Sequence, residues 1–414
     1  MSRNRFAILI AIVVGAFTGS TPAVAAVGDL FVQVSFNFPF DPNSFDPNSF
    51  DPNDPNSFDP NDVVSEGCSI VRAQPNGTLS EWVSNAAILA ATGEINANCG
   101  DTAITAATDG TLYFAEDVSH DVLRVSPAGA VDVFVAQSAI DAVIGTSSDI
   151  DNGMVLGTDG NLYAADEDCD CVIRITVPGG AVSIVVTEAA IQAVTGSNPD
   201  LQGGLARDAA GNLYFVDDDT DNLLRRTPAG VVSIFAPKSA FVAATGNGSA
   251  DLDVAIVLGD FLYVADDGED GDDAILRVHL GTGAVSLLAS GAAINAVTGN
   301  SDADLEGGLA LDAAGNVYAG DDGSGCGSPT PNGECPSIVR VTPAGSVSSF
   351  VSFATLDTFI RNLYGDVAVT LEGGMVIQRA AAAIAPSPVP AASAAGLAGV
   401  AGLLFVAAWR RLRA

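Results

Sequence analysis

Residues 201–235 read LQGGLARDAAGNLYFVDDDTDNLLRRTPAGVVSIF and contain the unit from which most of this chain is built. Four short runs of β-forming residues, GGLA, NLYFV, NLLRR and VVSIF, are separated by residues that favour turns. The second run recurs with a tyrosine at positions 113, 163, 214, 263 and 318. The third run recurs around a central arginine, at Arg72, Arg124, Arg174, Arg225, Arg277 and Arg340. The chain is therefore a tandem repeat of four-strand units.

Four short strands at a fixed period are typical of one blade of a β-propeller. The strand sets and their AAIxAVTG connectors predict an all-β fold over residues 27–380. This fold is a six-bladed β-propeller of four-stranded antiparallel blades with short inter-blade helices. Each helix should stop at a left-handed glycine. These glycines are Gly93, Gly145, Gly196, Gly246 and Gly299, and a degenerate sixth connector starts at Ala354.

The two ends of the repeat array are expected to share one blade. Residues 28–36 read as a second strand, and residues 69–83 supply the third and fourth strands. Residues 366–370 supply the missing first strand, so that pairing the termini removes the open edges of a linear array. Residues 373–378 are left over, and the sequence assigns them no position.

The strand segments resemble the NHL-repeat family of propellers over roughly residues 64–370. The resemblance rests on Gly-Asn-Leu-Tyr at the start of the second strand, the acid that ends it, and the arginine two residues into the next strand. It implies the propeller fold. It implies no particular activity, because propellers host many functions.

Both ends of the chain carry the pattern of targeting signals. Residues 1–26 combine two arginines, an apolar run and a small-residue end, which is typical of a secretory signal peptide. Residues 381–390 form a Pro/Ala linker. Residues 391–414 hold an apolar stretch long enough for one transmembrane helix, closed by Trp409 and arginines. We therefore expect an exported protein with a transmembrane sorting or anchor segment.

The linker, apolar helix and basic tail together resemble the exosortase (PEP-CTERM-like) sorting signals of Gram-negative bacteria. The chain has Val389 and Pro390 where those signals carry Pro-Glu-Pro. The resemblance implies a location at the cell surface, in the outer envelope or in the extracellular matrix. The helix is then either removed by a protease or kept as an anchor.

The charge balance narrows the choice of partners. The chain has 50 acidic and 16 basic residues, a formal net charge of −34. Such a surface repels nucleic acid and anionic lipid. We expect an extracellular ligand that is a polysaccharide, a cation or a protein, and membrane contact only through the C-terminal helix.

The acids are concentrated in one class of loop. In a blade, the second-to-third loops and the blade-to-blade connectors lie on the same face of the disc. Five second-to-third loops begin with an acid pair, and each of four connectors ends in an aspartate before the next blade. Residues 41–62, a low-complexity Asp-Pro-Asn run, form the corresponding loop of the first blade. The sequence thus predicts one strongly acidic face.

Several loop acids have the spacing of oxygen ligands for Ca²⁺, a hard cation that takes six to eight oxygens. The candidate ligands are Asp166, Asp168, Asp170, Asp217, Asp219, Asp221, Asp266 and Asp267. None of these loops continues as an EF-hand, and the alternative is a solvated acidic rim. The six repeat arginines follow these loops, and we expect them to form structural ion pairs with the acid pairs.

Six cysteines in an exported chain can pair, because that compartment is oxidising. Cys326 and Cys335 bracket an insertion in one loop and are predicted to form a disulfide. Cys68 and Cys99 fall on the same face of the first blade and form the second predicted pair. Cys169 and Cys171 are left, and a bridge between them would be strained. Zinc is the alternative for these two, but neither histidine lies beside them.

Catalysis finds little support in the residue pattern. His120 and His279 are the only histidines, and no nucleophile is spaced to either in an informative way. The first hypothesis is a non-enzymatic binding or scaffold propeller that uses its acidic face. The second is a metal-dependent hydrolase or lyase, for which a cluster of unlike polar residues should break the symmetry of the blades. The third is a purely structural surface protein, with the Asp-Pro-Asn run as a flexible spacer.

Overall fold

The computed structural model describes residue 26 and residues 28–37, 66–100, 102–151, 153–268, 273–305, 308–324, 335–364, 367–371 and 373–378. All of them belong to the first of two compact units, Met1–Arg379. The second unit, Ala380–Ala414, lies outside the described residues, as do the predicted signal peptide up to residue 25, the linker and the transmembrane segment. Within the described part of the chain, no helix is long and apolar enough to span a bilayer.

The described residues form 25 strands, which are arranged in six antiparallel sheets. The first half of the chain contributes β1 (Leu30–Asn37), β2 (Glu66–Ala73), β3 (Leu79–Val83), β4 (Ile104–Ala106), β5 (Leu112–Glu116), β6 (Asp121–Val125), β7 (Val131–Val135), β8 (Met154–Leu156), β9 (Leu162–Asp166), β10 (Cys171–Ile175), β11 (Val182–Val186) and β12 (Leu205–Arg207). The second half contributes β13 (Leu213–Asp217), β14 (Asn222–Arg226), β15 (Val232–Ala236), β16 (Leu252–Leu258), β17 (Phe261–Asp266), β18 (Ala274–His279), β19 (Val285–Ser290), β20 (Leu309–Leu311), β21 (Val317–Asp321), β22 (Ser337–Val341), β23 (Val347–Val351), β24 (Ala368–Thr370) and β25 (Met375–Ile377).

Five of the sheets are blades of four consecutive strands, beginning with β4, β8, β12, β16 and β20. The register in the fourth blade shows the common pattern, with Tyr214 opposite Arg225 and Asp217 opposite Asn222. The first blade combines β1, β2 and β3 with the C-terminal strands. The repeat therefore forms the predicted six blades.

The ring closes through two C-terminal strands. β24 pairs with the end of β1, where Thr370 faces Ser35, and β25 pairs with its start, where Ile377 faces Leu30. The leftover residues 373–378 thus complete the innermost position of the first blade beside the strand that the sequence predicted. The inner strands β4, β8, β12, β16, β20 and β25 contact one another in that order, and β25 contacts β4. The blades form a closed propeller.

Glycines at the start of the inner strands allow this close approach. Gly374 N–H donates to the Thr102 carbonyl of the next blade at 2.8 Å. A Cβ atom on Gly374 would lie 2.9 Å from that oxygen, and one on Gly308 would lie 2.8 Å from the backbone nitrogen of Met375. Only a residue without a side chain fits at these two positions.

In the described part of the chain, six helices connect the blades: α1 (Asn85–Thr92), α2 (Gln137–Ile144), α3 (Glu188–Thr195), α4 (Lys238–Thr245), α5 (Gly291–Thr298) and α6 (Phe353–Tyr364). The first five end at the predicted left-handed glycines, with φ between 82° and 88°. Each of these five buries an isoleucine or a phenylalanine. The core itself lies between neighbouring blades. One cluster, for example, joins Tyr214 of the fourth blade to Leu276 of the fifth.

Candidate functional site

The second-to-third loops and the connectors meet on one face of the propeller. At each of five blades, the backbone N–H after the second strand donates to a carbonyl of the incoming connector. The pairs are Asp117 with Asn98, Glu167 with Asp149, Asp218 with Asp200, Asp267 with Asp251 and Asp322 with Asp304, at 2.8 to 3.1 Å. The acidic loops therefore emerge together, as the repeat predicted, and we call this surface the loop face.

The first acid of each pair is a buried structural group. Glu116, Asp166, Asp217, Asp266 and Asp321 end their second strands and are fully buried. In three blades this acid accepts a backbone N–H of the connector acid, as Asp266 Oδ1 does from Asp251 at 2.8 Å. Burial raises the pKa of Asp166 to about 6 and the pKa of Asp266 to about 7. These carboxyls hold each connector against its blade.

The remaining acids form a second pattern that repeats at the blade junctions. Each group, here called a junction cluster, combines the second acid of the pair, the residue just before the third strand, and the connector acid that leads into the next blade. The four described clusters are Asp117–His120–Asp149, Glu167–Asp170–Asp200, Asp218–Asp221–Asp251 and Asp267–Asp273–Asp304. In the first and third clusters, the possible ligand atoms all lie within 4.8 Å of one another, as they do in Asp149, Asp151 and Glu167.

The local backbone explains why the middle residue reaches the cluster. His120, Asp170 and Asp221 have left-handed φ values of 50°, 45° and 48°. Residues with short polar or imidazole side chains tolerate this conformation better than other non-glycine residues. The chain turns at this point into the third strand, so that the side chain is brought toward the connector acid.

The clusters concentrate negative charge in a partly buried place. Burial and then the charge of Asp149 raise the pKa of Asp117 to about 6. The hydrogen bond between His120 Nδ1 and Asp149 Oδ1, at 3.2 Å, raises the pKa of His120. Burial and then Asp251 raise the pKa of Asp218 to about 6. Such groups accept a proton or a cation, and their oxygen atoms suit a hard metal ion.

The structure divides the predicted calcium ligands among three environments. Asp166, Asp217 and Asp266 are the buried structural acids described above, and Asp168 and Asp219 lie exposed at the loop tips. Asp170, Asp221 and Asp267 belong to junction clusters. The other cluster residues are absent from the predicted ligand set. The signal that could have identified them is their fixed position relative to the strand ends, together with the recurring Asp-Leu or Asp-Ile after each connector helix.

The repeat arginines require a correction, because the ion pairs described for them do not involve the acid pairs. Arg72 binds Asp29 at 2.6 Å and Arg124 binds Asp132 at 2.5 Å. In register, Arg124 lies opposite Tyr113, three residues beyond the loop. Four of the arginines also stack on aromatic rings, namely Arg72 on Trp82, Arg124 on Phe134, Arg225 on Phe235 and Arg277 on Phe261.

The remaining arginines follow the same register, with Arg174 opposite Tyr163 and Arg340 opposite Tyr318. The reason for the correction is geometric. The acid ends the second strand at the loop, whereas the arginine lies farther along the returning third strand, toward the turns of the opposite face. It therefore packs within the blade.

Two disulfides join described cysteines. Cys68 is bonded to Cys99 with the Cα atoms 5.4 Å apart, and Cys169 is bonded to Cys171 with the Cα atoms 5.1 Å apart. The second bond removes the zinc alternative for these residues. The loop around it has its left-handed residue at Asp170, and two loops without cysteines have the same feature at His120 and Asp221. Cys335 is also disulfide-bonded, and Cys326 lies outside the described residues.

Comparison with known proteins yields structural neighbours only. No protein-family model matches the chain, and no curated protein matches its sequence. Virginiamycin B lyase from Staphylococcus aureus is similar in structure, with a TM-score of 0.41 and 15% identity over 68% of this chain and 76% of that one. A gluconolactonase from Xanthomonas campestris has a TM-score of 0.40 and 17% identity over 64% of this chain and 82% of that one.

A putative TolB from Agrobacterium tumefaciens has a TM-score of 0.43 and 10% identity over 79% of this chain and 89% of that one. Identities this low concern the fold alone. The chain's own strand pairing and closed ring define the propeller, and the acidic clusters of the loop face are compatible with metal binding. The NHL resemblance and the C-terminal sorting signal stay predictions.

Proposed function

We propose that this protein is an exported, non-enzymatic binding propeller, held at the cell surface or in the extracellular matrix, whose loop face binds a positively charged ligand. One observation carries the proposal: a junction cluster recurs at four successive blades. A single reaction needs one set of unlike groups at one place. A repeated set of like charges suits a broad surface that attracts a cationic polymer or protein through many weak contacts.

The charge of the loop face supports this proposal. Exposed acids such as Asp168 and Asp219 stand at the loop tips, outside the clusters. Among the described contacts, Lys238 is the lysine that pairs with a cluster acid, where it binds Asp221, and His120 pairs with Asp149 within its own cluster. The disulfides of the propeller are consistent with an oxidising compartment, and so with export. Calcium is the cofactor that carboxylate clusters of this kind favour outside the cell.

The experiment measures binding of the purified protein to immobilised poly-lysine, with poly-glutamate as the negative surface. We expect binding to poly-lysine that weakens as the salt concentration rises, because salt screens exposed charges. The double variant Asp168→Asn and Asp219→Asn should bind several-fold more weakly. These two side chains are exposed, so their replacement leaves the buried acids in place.

A matched control separates the loop face from net charge. Asp109 and Asp260 are exposed acids on first-to-second hairpins, which lie on the opposite face. The double variant Asp109→Asn and Asp260→Asn removes the same charge and should bind like the unmodified protein. Equal weakening by both pairs would show that the loop face has no special part in binding.

A second candidate function is a metal-dependent hydrolase or lyase, and one observation favours it. His120 occupies the middle position of its junction cluster, where the other three clusters have aspartate, so that Asp117, His120 and Asp149 form an unlike set. An imidazole hydrogen-bonded to a carboxylate can act as a general base or a metal ligand. Turnover of ester and lactone substrates that is lost in Asp149→Asn would establish this alternative over the binding function.

A further inference from the structure

The disulfide between Cys169 and Cys171 contributes little to the stability of the fold. The two cysteines are 2 positions apart in the chain, whereas Cys68 and Cys99 are 31 positions apart. A disulfide stabilises a protein mainly by restricting the unfolded chain, and this effect grows with the length of the loop that the bond closes. The loop closed around Asp170 is very short. Restriction of the unfolded chain therefore does not explain this bond.

The loop also takes its shape without the disulfide. Asp170 in the third blade and Asp221 in the fourth are both left-handed, with φ of 45° and 48°. In both loops, the N–H of the left-handed residue donates to the carbonyl three residues earlier, at 3.0 and 3.3 Å. The fourth blade has Thr220 and Asn222 at the positions of the two cysteines. The same turn thus forms from residues that cannot be cross-linked.

The second cysteine occupies a position that anchors a helix in other blades. In the second, fourth and sixth blades, the side chain of the first residue of the third strand accepts the N–H of the first residue of the next helix. These pairs are Asp121 with Gln137 at 2.8 Å, Asn222 with Lys238 at 3.1 Å, and Ser337 with Phe353 at 3.2 Å. Cys171 is the first residue of β10, and sulfur is only a weak acceptor. The disulfide therefore replaces a structural contact of the blade.

The two sulfur atoms differ in their access to solvent. Cys171 is 2% exposed and belongs to the core between the second and third blades. Cys169 is only half-buried and follows the exposed Asp168 on the loop face. Both cysteines of the other described pair, Cys68 and Cys99, are fully buried. Access decides which sulfur of a disulfide is attacked. An incoming thiol therefore reaches Cys169 first.

We propose that the Cys169–Cys171 disulfide is a site of thiol–disulfide exchange, at which Cys169 is the sulfur attacked. A thiolate forms a bond to Cys169 Sγ, the bond between the cysteines breaks, and Cys171 leaves as a thiolate that takes up a proton from water. A second thiolate attacks the outer sulfur of this mixed disulfide and releases Cys169. The two thiols are oxidised to a disulfide, and the protein disulfide is reduced to two thiols. The Asp166 carbonyl oxygen, 3.8 Å from Cys169 Sγ, can then accept the thiol S–H.

The surrounding charges select the kind of thiol. The disulfide lies in residues 166–171, where the four residues other than cysteine are all acidic. Their carboxylates repel an anionic thiolate and favour one that also carries an ammonium group. We therefore assign the site to thiols with a positively charged group. The assignment goes beyond the binding proposed for the loop face and does not depend on it.

The experiment treats the folded full-length protein with three small thiols of different charge: cysteamine, 2-mercaptoethanol and 2-mercaptoethanesulfonate. Samples are quenched with acid and labelled with a maleimide, and peptide mass spectrometry follows each cysteine. We expect Cys169 and Cys171 to become labelled while Cys68 and Cys99 stay bonded. At low salt and equal thiolate concentration, cysteamine should react about tenfold faster than the sulfonate, and high salt should remove this difference.

The double variant Cys169→Thr and Cys171→Asn gives the third blade the residues of the fourth-blade loop. It should lose the reactive site and melt at the same temperature as the unmodified protein or higher. In single variants, Cys169 in Cys171→Asn should take up the maleimide faster than Cys171 in Cys169→Thr. The reverse order would overturn the assignment of Cys169 as the sulfur attacked.

Two further results would overturn the exchange site itself. One is a Cys169–Cys171 bond that resists the thiols as long as the Cys68–Cys99 bond does. The other is a double variant that melts several degrees lower, which would make the bond structural. Equal rates with cysteamine and the sulfonate at low salt would overturn the preference for cationic thiols. Poly-lysine binding that persists in the double variant would leave the loop-face function standing, so the two failures are distinguishable.

Discussion

Replacement of Glu116 by alanine tests whether the buried first acid of the pair holds a connector to its blade. The Glu116 carboxylate accepts three backbone N–H groups, from Asn98 at 2.8 Å, Val118 at 3.3 Å and Ser119 at 2.7 Å. A hydrogen bond to a charged group contributes about 1.5–3 kcal/mol, and the longest of these three contributes least. We therefore expect Glu116→Ala to lower the free energy of unfolding by about 3–5 kcal/mol.

The assay is urea unfolding followed by circular dichroism and tryptophan fluorescence, whose transitions should coincide if unfolding is two-state. Glu116→Gln keeps one acceptor oxygen and should lose about 1–2 kcal/mol. Glu94→Ala is the control on the same connector, because Glu94 is exposed, and it should change stability by less than about 0.5 kcal/mol. If Glu116→Ala lowered the free energy of unfolding no more than Glu94→Ala does, the Glu116 carboxylate would not hold the connector to its blade, and the reasoning would be refuted.

Three further predictions concern stability. Burial raises the pKa of Asp166 to about 6 and the pKa of Asp266 to about 7, so both carboxyls hold a proton more tightly in the folded protein than in the unfolded chain. In metal-free buffer the melting temperature should therefore fall as the pH rises from about 4 to about 7. A melting temperature that rises over this range would contradict these pKa shifts. Gly374→Ala should lower the free energy of unfolding, measured in urea, by about 2–3 kcal/mol, because the new Cβ atom would lie 2.9 Å from the backbone of the next blade. An unchanged free energy of unfolding would show that the inner strands can separate. Tyr364→Phe should lower the free energy of unfolding by about 1–2 kcal/mol, because the Tyr364 hydroxyl accepts the Asn85 N–H at 3.1 Å and donates to Glu81. These two hydrogen bonds join the last connector to the first blade. An unchanged melting temperature would exclude this role of Tyr364 in ring closure.

Much of the fold could be predicted because the blade is a local unit. A hairpin between consecutive strands needs only alternating residues and turn chemistry, and both are visible in Leu213–Asp217 and Asn222–Arg226. The glycine that ends each connector helix is also a local signal, since only a few residues adopt positive φ there. The number of blades and the common side of the acidic loops follow from the repeat in the same way.

The arginines show where local reasoning fails. Arg225 lies near an acidic loop in the sequence, but the pleat and the register place it opposite Tyr214 and over Phe235, toward the other face. A spacing of three residues along a strand corresponds to roughly 10 Å, which is too far for an ion pair. For a similar reason, the sequence did not distinguish buried from exposed residues among the predicted calcium ligands. The strand end buries Asp217 and leaves Asp219 exposed, although both belong to the same acidic run.

The amino-acid sequence by itself determined the strands, the six-fold repeat and the acidic character of one face, because each of these depends on residues that are close together in the chain. Tertiary structure alone decided that β25 completes the ring and that Asp273 is buried where the charges of Asp267 and Asp304 act on it. Each of these features arises where two blades meet. The contacts between blades join residues far apart in sequence, and only the closed ring brings them together.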